Sequence, residues 1–182
     1  DLVLAAPRKS FNYGEDGWWK KVDLSQKVSV YYKRNGYMLT ASKYKGDIIV
    51  GTTGTTTSQH AKWGIAEVAK LGADDFFEEG TTHLFEMVHP EDPHIVSERN
   101  GIHLLGHRDN KTGQYTPSFV QYAGRMTLQE ALDLRHEGLG EGFMVYSDDD
   151  EFKNSPCKLK TPHYIGKKLL MRINQNRWVD VL

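Results

Sequence analysis

The stretch Lys27-Val28-Ser29-Val30-Tyr31-Tyr32-Lys33-Arg34-Asn35-Gly36-Tyr37-Met38-Leu39-Thr40-Ala41-Ser42 decides the reading of the fold. Residues 27–32 alternate and are rich in Val and Tyr, the pattern of a strand with one buried face. Asn35-Gly36 is a turn dipeptide, and the strand pattern resumes over 37–42, so the stretch predicts a β-hairpin. Working outward, 47–52 reads as a third short strand. Residues 58–71 read as a helix capped by Ser58 and stopped by Gly72. Further strands fit 84–88, 102–106, 142–146 and 157–160. A second helix fits 127–136, with Thr127 as cap, Glu130 at the third helical position, and Leu128, Ala131 and Leu132 on one face. Many strands, few helices and no βαβ rhythm predict an α+β fold with largely antiparallel sheets.

The 182 residues suggest a single domain over 1–182, with no linker-like break. With 38% apolar and 26% charged residues and a net charge of −1, the composition is that of a globular protein with a real core. It excludes a disordered tail, a fibre and a membrane bundle. Residues 2–7, the longest apolar stretch, are far short of the roughly 20 that span a bilayer. The single cysteine, Cys157, excludes a disulfide framework and suits a reducing compartment, cytoplasmic or nuclear. Charge is segregated: 73–98 carry acids and no Lys or Arg, whereas 158–179 carry Lys158, Lys160, Lys167, Lys168, Arg172 and Arg177 and no acid. A basic patch beside a cleft can bind polyanions, but charge alone does not decide the partner.

Lys33 sits at a strand end before a tight turn, where rigid backbone and neighbouring cations favour a nucleophilic amine. Glu86 lies in an apolar strand and Glu141 opens another. Lys158 and Lys160 alternate, so both project from one face of their strand. Taken singly, each is an ordinary structural feature. Among the eight histidines, His103 and His107 share a strand face, but there is no H-E-x-x-H and no cysteine cluster to make a zinc site. Residues 50–55 lack the G-K-[ST] ending of a P-loop.

In their order along the chain, Lys33, Glu86, Glu141 and Lys158/Lys160 resemble motifs I, III, IV and V of the covalent nucleotidyltransferases, the ligases and capping enzymes. The finer text narrows this. Residues 9–15 (KSFNYGE) resemble K-F-F-N-x-x-E, and 85–90 (FEMVHP) with Ile95-Val96 resemble F-E-x-V-x-P-x-N-x-I-V. Residues 104–115 (LLGHRDNKTGQY) resemble L-L-x-x-R-x-N-x-T-G-E-Y, and Glu141 to Val145 with 158–164 (KLKTPHY) resemble E-G-x-V-x and K-x-K-x-x-x-Y. The pattern is similar to that of the RNA ligase 1 type, phage RNA ligase 1 and the adenylyltransferase domain of fungal tRNA ligases. Asn35 and Tyr37 stand where the usual K-x-D-G-S has Asp and Ser, although fungal tRNA ligases carry K-x-N-G. Residues 52–55 lack the lysine often found at motif Ia. The chain starts after the family's early A-R-G segment and stops soon after motif V, so it is expected to be a catalytic core or fragment.

The resemblance implies the nucleotidyltransferase fold, antiparallel sheets flanked by a few helices around an ATP cleft. It implies an ATP-dependent RNA ligase that forms a lysyl–AMP at Lys33, passes AMP to an RNA 5′-phosphate and seals it to a 3′-hydroxyl, in RNA repair or tRNA splicing. Lys158 and Lys160 would offset charge on the α-phosphate, and Glu141 would serve Mg²⁺, or Mn²⁺ in its place. Nucleotide contacts would come from Lys9, Asn35, Gly36, Glu86, Phe143, Lys158 and Lys160, with Glu86 on the ribose and Phe143 or Leu104 stacking on adenine. The partners implied are ATP and RNA ends, with no membrane and no obligate protein partner. The alternative is a silent nucleotide- or RNA-binding module that keeps the ligase fold. A DNA ligase or GTP-using capping enzyme is a lesser variant.

Overall fold

The computed structural model describes residues 2–15, 19–72, 74–92, 94–148 and 156–177. In chain order the elements are β1 (Phe11–Asn12), β2 (Lys27–Lys33), β3 (Tyr37–Tyr44), β4 (Asp47–Thr52), α1 (Gln59–Lys70), β5 (Thr81–Val88), β6 (Gly101–Asp109) and β7 (Tyr115–Pro117). They continue with β8 (Tyr122–Thr127), α2 (Leu128–Leu134), β9 (Gly142–Ser147), β10 (Cys157–Lys160) and α3 (Pro162–Arg177). The expected α+β class with mainly antiparallel sheets is what the chain forms. The described residues fall into two compact units that interleave along the sequence.

The first unit takes its described residues from 1–8, 36–92 and 99–121. Its sheet runs β4-β3-β5-β6-β7, antiparallel throughout. Helix α1 begins as expected: the Ser58 side chain accepts the Ala61 N–H, and Gly72, at a φ of 57°, follows its last turn. Leu39, Ala41, Val50, Val68, Phe77, Phe85 and Met87 form the core. Gly64 lets the helix lie against the sheet, since a Cβ there would sit 2.2 Å from Leu39 Cδ1.

The second unit takes its described residues from 9–35, 93–98 and 122–182. Its sheet runs β1-β10-β9-β2-β8, with β1 and β10 parallel and the other pairs antiparallel. Val28, Val30, Leu128, Ala131, Phe143, Val145, Cys157 and Leu159 build its core from one sheet face and α2, and Trp19, in the short turn before β2, packs into it. Each such large apolar side chain contributes about 1.5–3 kcal/mol on burial. Thr127 and Glu130 form the capping box expected of α2.

The hairpin expectation is wrong. β2 pairs with β8 and β9, and β3 pairs with β4 and β5, so the two strands belong to different sheets. Residues 34–36 are a crossing from one sheet to the other. Arg34 and Asn35 bond through their side chains to Glu98 and the Val96 carbonyl, and the Gly36 N–H donates to the Glu86 carboxylate. Cys157 is buried. Among the described residues no helix is long and apolar enough to cross a membrane.

Candidate active site

The second unit's sheet gathers the charged residues on the face opposite its core. Alternation puts Val28 and Val30 of β2 into the core and leaves Tyr31 and Lys33 on the other face. On β10, Cys157 and Leu159 face the core, and Lys158 and Lys160 face away. Gly142 of β9 lies between them, level with Lys33 on one side and Lys160 on the other. The row Lys33, Gly142, Lys160 thus crosses three adjacent strands, with Glu141 at the mouth of β9.

Glu141 is buried, and its carboxylate lies 2.9 Å from Lys33 Nζ through one oxygen and 3.7 Å from Lys160 Nζ through the other. The Lys33 ammonium also lies 3.4 Å from the Arg34 carbonyl. Gly142 is required at this junction. Its φ is 144°, and a Cβ would stand 2.0 Å from the Leu159 carbonyl oxygen on the neighbouring strand. Thr161 fastens the same corner, its hydroxyl donating to the Gly140 carbonyl at 2.7 Å and its N–H to the Glu141 carbonyl at 3.1 Å.

Burial pushes the Lys158 ammonium below the usual lysine range, and the Lys33 charge pushes it further. Burial does the same to Lys160, where Glu141 opposes it and Lys168, Lys33 and Lys158 add to it. The face concentrates positive charge that Glu141 and, at Lys158, also Glu15 only partly offset, which suits a polyanion. The Lys160 ammonium also lies 5.1 Å over the Tyr164 ring and Lys168 lies 5.8 Å from it. Lys9 is exposed, lies over the Phe11 ring at 4.9 Å and adds its charge to the field at Lys158.

Phe143 is not on the lysine face: it is 5% exposed, in the core, with its ring against Tyr32. Its assignment to adenine is therefore corrected, because a side chain one residue from Gly142 on a strand points to the opposite face. Met144, level with Lys158, is the β9 residue that shares the lysine face. Glu86 belongs to the first unit, where it is buried and one carboxylate oxygen accepts the Gly36 N–H at 2.9 Å. Gly36 admits no side chain, since a Cβ would lie 2.1 Å from the Met87 carbonyl oxygen. Leu104 packs against the first unit's core. Tyr37, where the family pattern has Ser, donates to the His60 carbonyl at 3.0 Å, and burial pushes its phenol up to about 12.

Asn35 is buried, and its Nδ2 donates to the Val96 carbonyl at 3.1 Å. Arg34 Nη1 lies 3.0 Å from Glu98 Oε2. Sequence reasoning missed both links, although Ile95-Val96 was part of a recognised motif. Among the described residues no group of three or more His, Cys, Asp or Glu gathers as a metal site. Glu141 faces two ammoniums, those of Lys33 and Lys160.

The profile of a family described as RNA ligase, of the RNA ligase 1 type, matches residues 3–154. The chain belongs to this RNA ligase family. The match spans Lys33, Glu86 and Glu141 and ends just before Lys158 and Lys160. A protein of Autographa californica nuclear polyhedrosis virus, named as a bifunctional polynucleotide kinase/RNA ligase, is 24% identical over 192 residues, which is 90% of this chain and 26% of that protein. Naegleria gruberi RNA ligase with PPi superposes with a TM-score of 0.64 at 13% identity, covering 91% of this chain and 60% of that one. A variant of it with AMP and Mn gives 0.65 at 13% identity, with coverages of 91% and 60%. Another with ATP and Mn gives 0.63 at 13%, with coverages of 91% and 59%. These likenesses show the nucleotidyltransferase fold of RNA ligases. The chain spans about a quarter of the viral relative and about three-fifths of the Naegleria ligase.

Proposed function

We propose that the chain is the adenylyltransferase core of an ATP-dependent RNA ligase, with Lys33 as nucleophile. The carrying observation is the cluster on the second unit's sheet, where Lys33 Nζ lies 2.9 Å from a Glu141 carboxylate that Lys160 also approaches. The Lys33 amine attacks the α-phosphorus of ATP, forming a P–N bond as the bond to pyrophosphate breaks. Attack requires the free amine, so the ammonium gives up a proton before the P–N bond forms. Glu141 holds Nζ in one direction until then. Lys158 and Lys160 face the charge that builds on the phosphate oxygens, the kind of fixed electrostatic contribution that dominates such transfers. A divalent ion bound with ATP would offset charge on its phosphates, and Glu141 would hold part of its water shell. AMP then passes to an RNA 5′-phosphate, and a 3′-hydroxyl displaces it to join the strand.

The test is incubation with α-labelled ATP and Mg²⁺, followed by peptide mapping. An acid-labile AMP adduct on Lys33, lost in both Lys33→Ala and Lys33→Arg, supports the reading. An adduct that survives either substitution, or a wild-type chain that takes up no label, overturns it.

A further inference from the structure

The two side chains that follow Lys33 both end on the same short piece of chain. Asn35 donates its amide to the Val96 carbonyl at 3.1 Å, and Arg34 pairs with Glu98 at 3.0 Å. These contacts join residues 61 and 64 positions apart in sequence. Asn35 and Val96 are 7% and 4% exposed, so the bond is shielded from water. Residues 96–98 lie in the connection between β5 and β6, yet they pack with the second unit, which also holds Lys33, Glu141 and Lys160. Since β2 and β3 do not pair, no ladder between these two strands fixes the crossing at 34–36. The two side-chain bonds to residues 96–98 tie it down on one side and the Gly36–Glu86 bond on the other.

We infer that residues 96–98 form a strap that positions the Lys33 amine, and that Asn35 is matched to it as an amide donor. Asn35 is a positioning residue, acting through the backbone between itself and Lys33. The chemistry of the partner sets the residue type. A backbone carbonyl only accepts, and an asparagine amide supplies the N–H it needs. An ionised aspartate, the usual residue here in the family pattern, has only acceptors. It would bring a carboxylate oxygen against the carbonyl oxygen in a buried place, adding repulsion to desolvation. Restoring the commoner residue should therefore damage this protein.

The inference rests on the proposed role of Lys33, so the wild-type chain is tested first. Single-turnover formation of the Lys33–AMP adduct from α-labelled ATP and Mg²⁺ is followed from pH 5.5 to 8.5, with folding checked by circular dichroism. Asn35→Ala, which buries no charge, should slow the maximal rate on the order of 10- to 100-fold with a smaller change in the apparent ATP KM, as expected for a misplaced nucleophile. Asn35→Asp should be slower still at pH 8, and its rate relative to wild type should recover toward low pH, where a protonated carboxyl again offers a donor. Glu98→Gln should fall between wild type and Asn35→Ala. Asn35→Ala at wild-type rate, or Asn35→Asp at a constant ratio to wild type across the range, overturns the strap. If Asn35→Asp does not fold, Asn35→Ala decides alone. A wild-type chain without adduct overturns the proposed function and the strap with it, whereas a labelled wild type with unaffected Asn35 variants overturns the strap only.

Discussion

Gly142→Ala is the sharpest perturbation of the lysine face, because it adds one methyl group and changes no charge. The added Cβ would lie 2.0 Å from the Leu159 carbonyl oxygen, whereas ordinary contact begins near 3.4 Å. β9 and β10 must therefore separate by more than 1 Å at the position that sets Glu141 between Lys33 and Lys160. The φ of 144° adds strain of roughly 1–3 kcal/mol for a residue with a side chain. Displacement of reacting groups by about 1 Å costs on the order of 100-fold in rate. Overpacking by one methyl costs roughly 1–3 kcal/mol of stability, so the domain should still fold. The assay is single-turnover adenylylation at saturating ATP, beside a thermal melt. A rate loss near 100-fold with a lowered but cooperative melt is expected. An alanine variant within threefold of wild-type rate, with an unchanged melt, would refute the claim that this glycine sets the spacing.

Lys160→Ala should slow adenylylation on the order of 100-fold, the scale of losing one fixed charge at a developing oxyanion. Lys168→Ala, on α3, should change mainly RNA affinity and its salt dependence; equal effects in single-turnover rates would reduce the lysine face to a general charged surface. Because burial lowers the Lys158 and Lys160 ammoniums, their charge is lost as pH rises toward 10.5, and adenylylation should decline there. Lys158→Arg/Lys160→Arg should flatten that alkaline fall relative to wild type, and an identical profile would show that these lysines do not cause it. His83 is buried against Phe76 and Phe77, with no hydrogen-bond partner for Nδ1 among the described residues, and burial holds it below its usual 6.5. Between its folded pKa and 6.5 the unfolded chain binds more protons, so stability should fall as pH is lowered through that window. Melts at pH 7.5 and 5.5 should show a smaller acid loss in His83→Phe, and an equal loss would clear His83 of the effect.

Local signals carried most of the fold. The period-2 pattern of 27–32, the caps Ser58 and Thr127 and the stop at Gly72 all lie where the structure uses them. Pairing was misread because Asn35-Gly36 is a strong hairpin signal in sequence, and nothing local distinguishes a hairpin turn from a crossing between sheets. The partners that decide it are β8, β9 and β5, far along the chain. β8 escaped notice because Gly124 and Arg125 interrupt its apolar pattern. α3 did so because Ile165, Leu169, Leu170, Met171 and Ile173 are all exposed and mark no buried face.

The site was legible to the extent that polar residues mark their own faces. Lys158-Leu159-Lys160 alternates charge with an apolar residue, so its two lysines could be placed on one face without a structure. Gly142-Phe143-Met144-Val145-Tyr146 has no charged residue to fix its parity, and both phases of the alternation look equally buried. An aromatic beside a glycine of the candidate site then reads as a stacking surface, when its neighbour Met144 holds that face. The register resolves the parity: Lys160 and Lys33 both lie level with Gly142, which makes every second residue from Gly142 a member of the lysine face and sends Phe143 and Val145 to the core. The same register explains why Glu141 can reach two lysines from different strands. A residue just ahead of a strand that is flanked on both sides stands at the end of both ladders, and a single carboxylate there can approach both ammoniums.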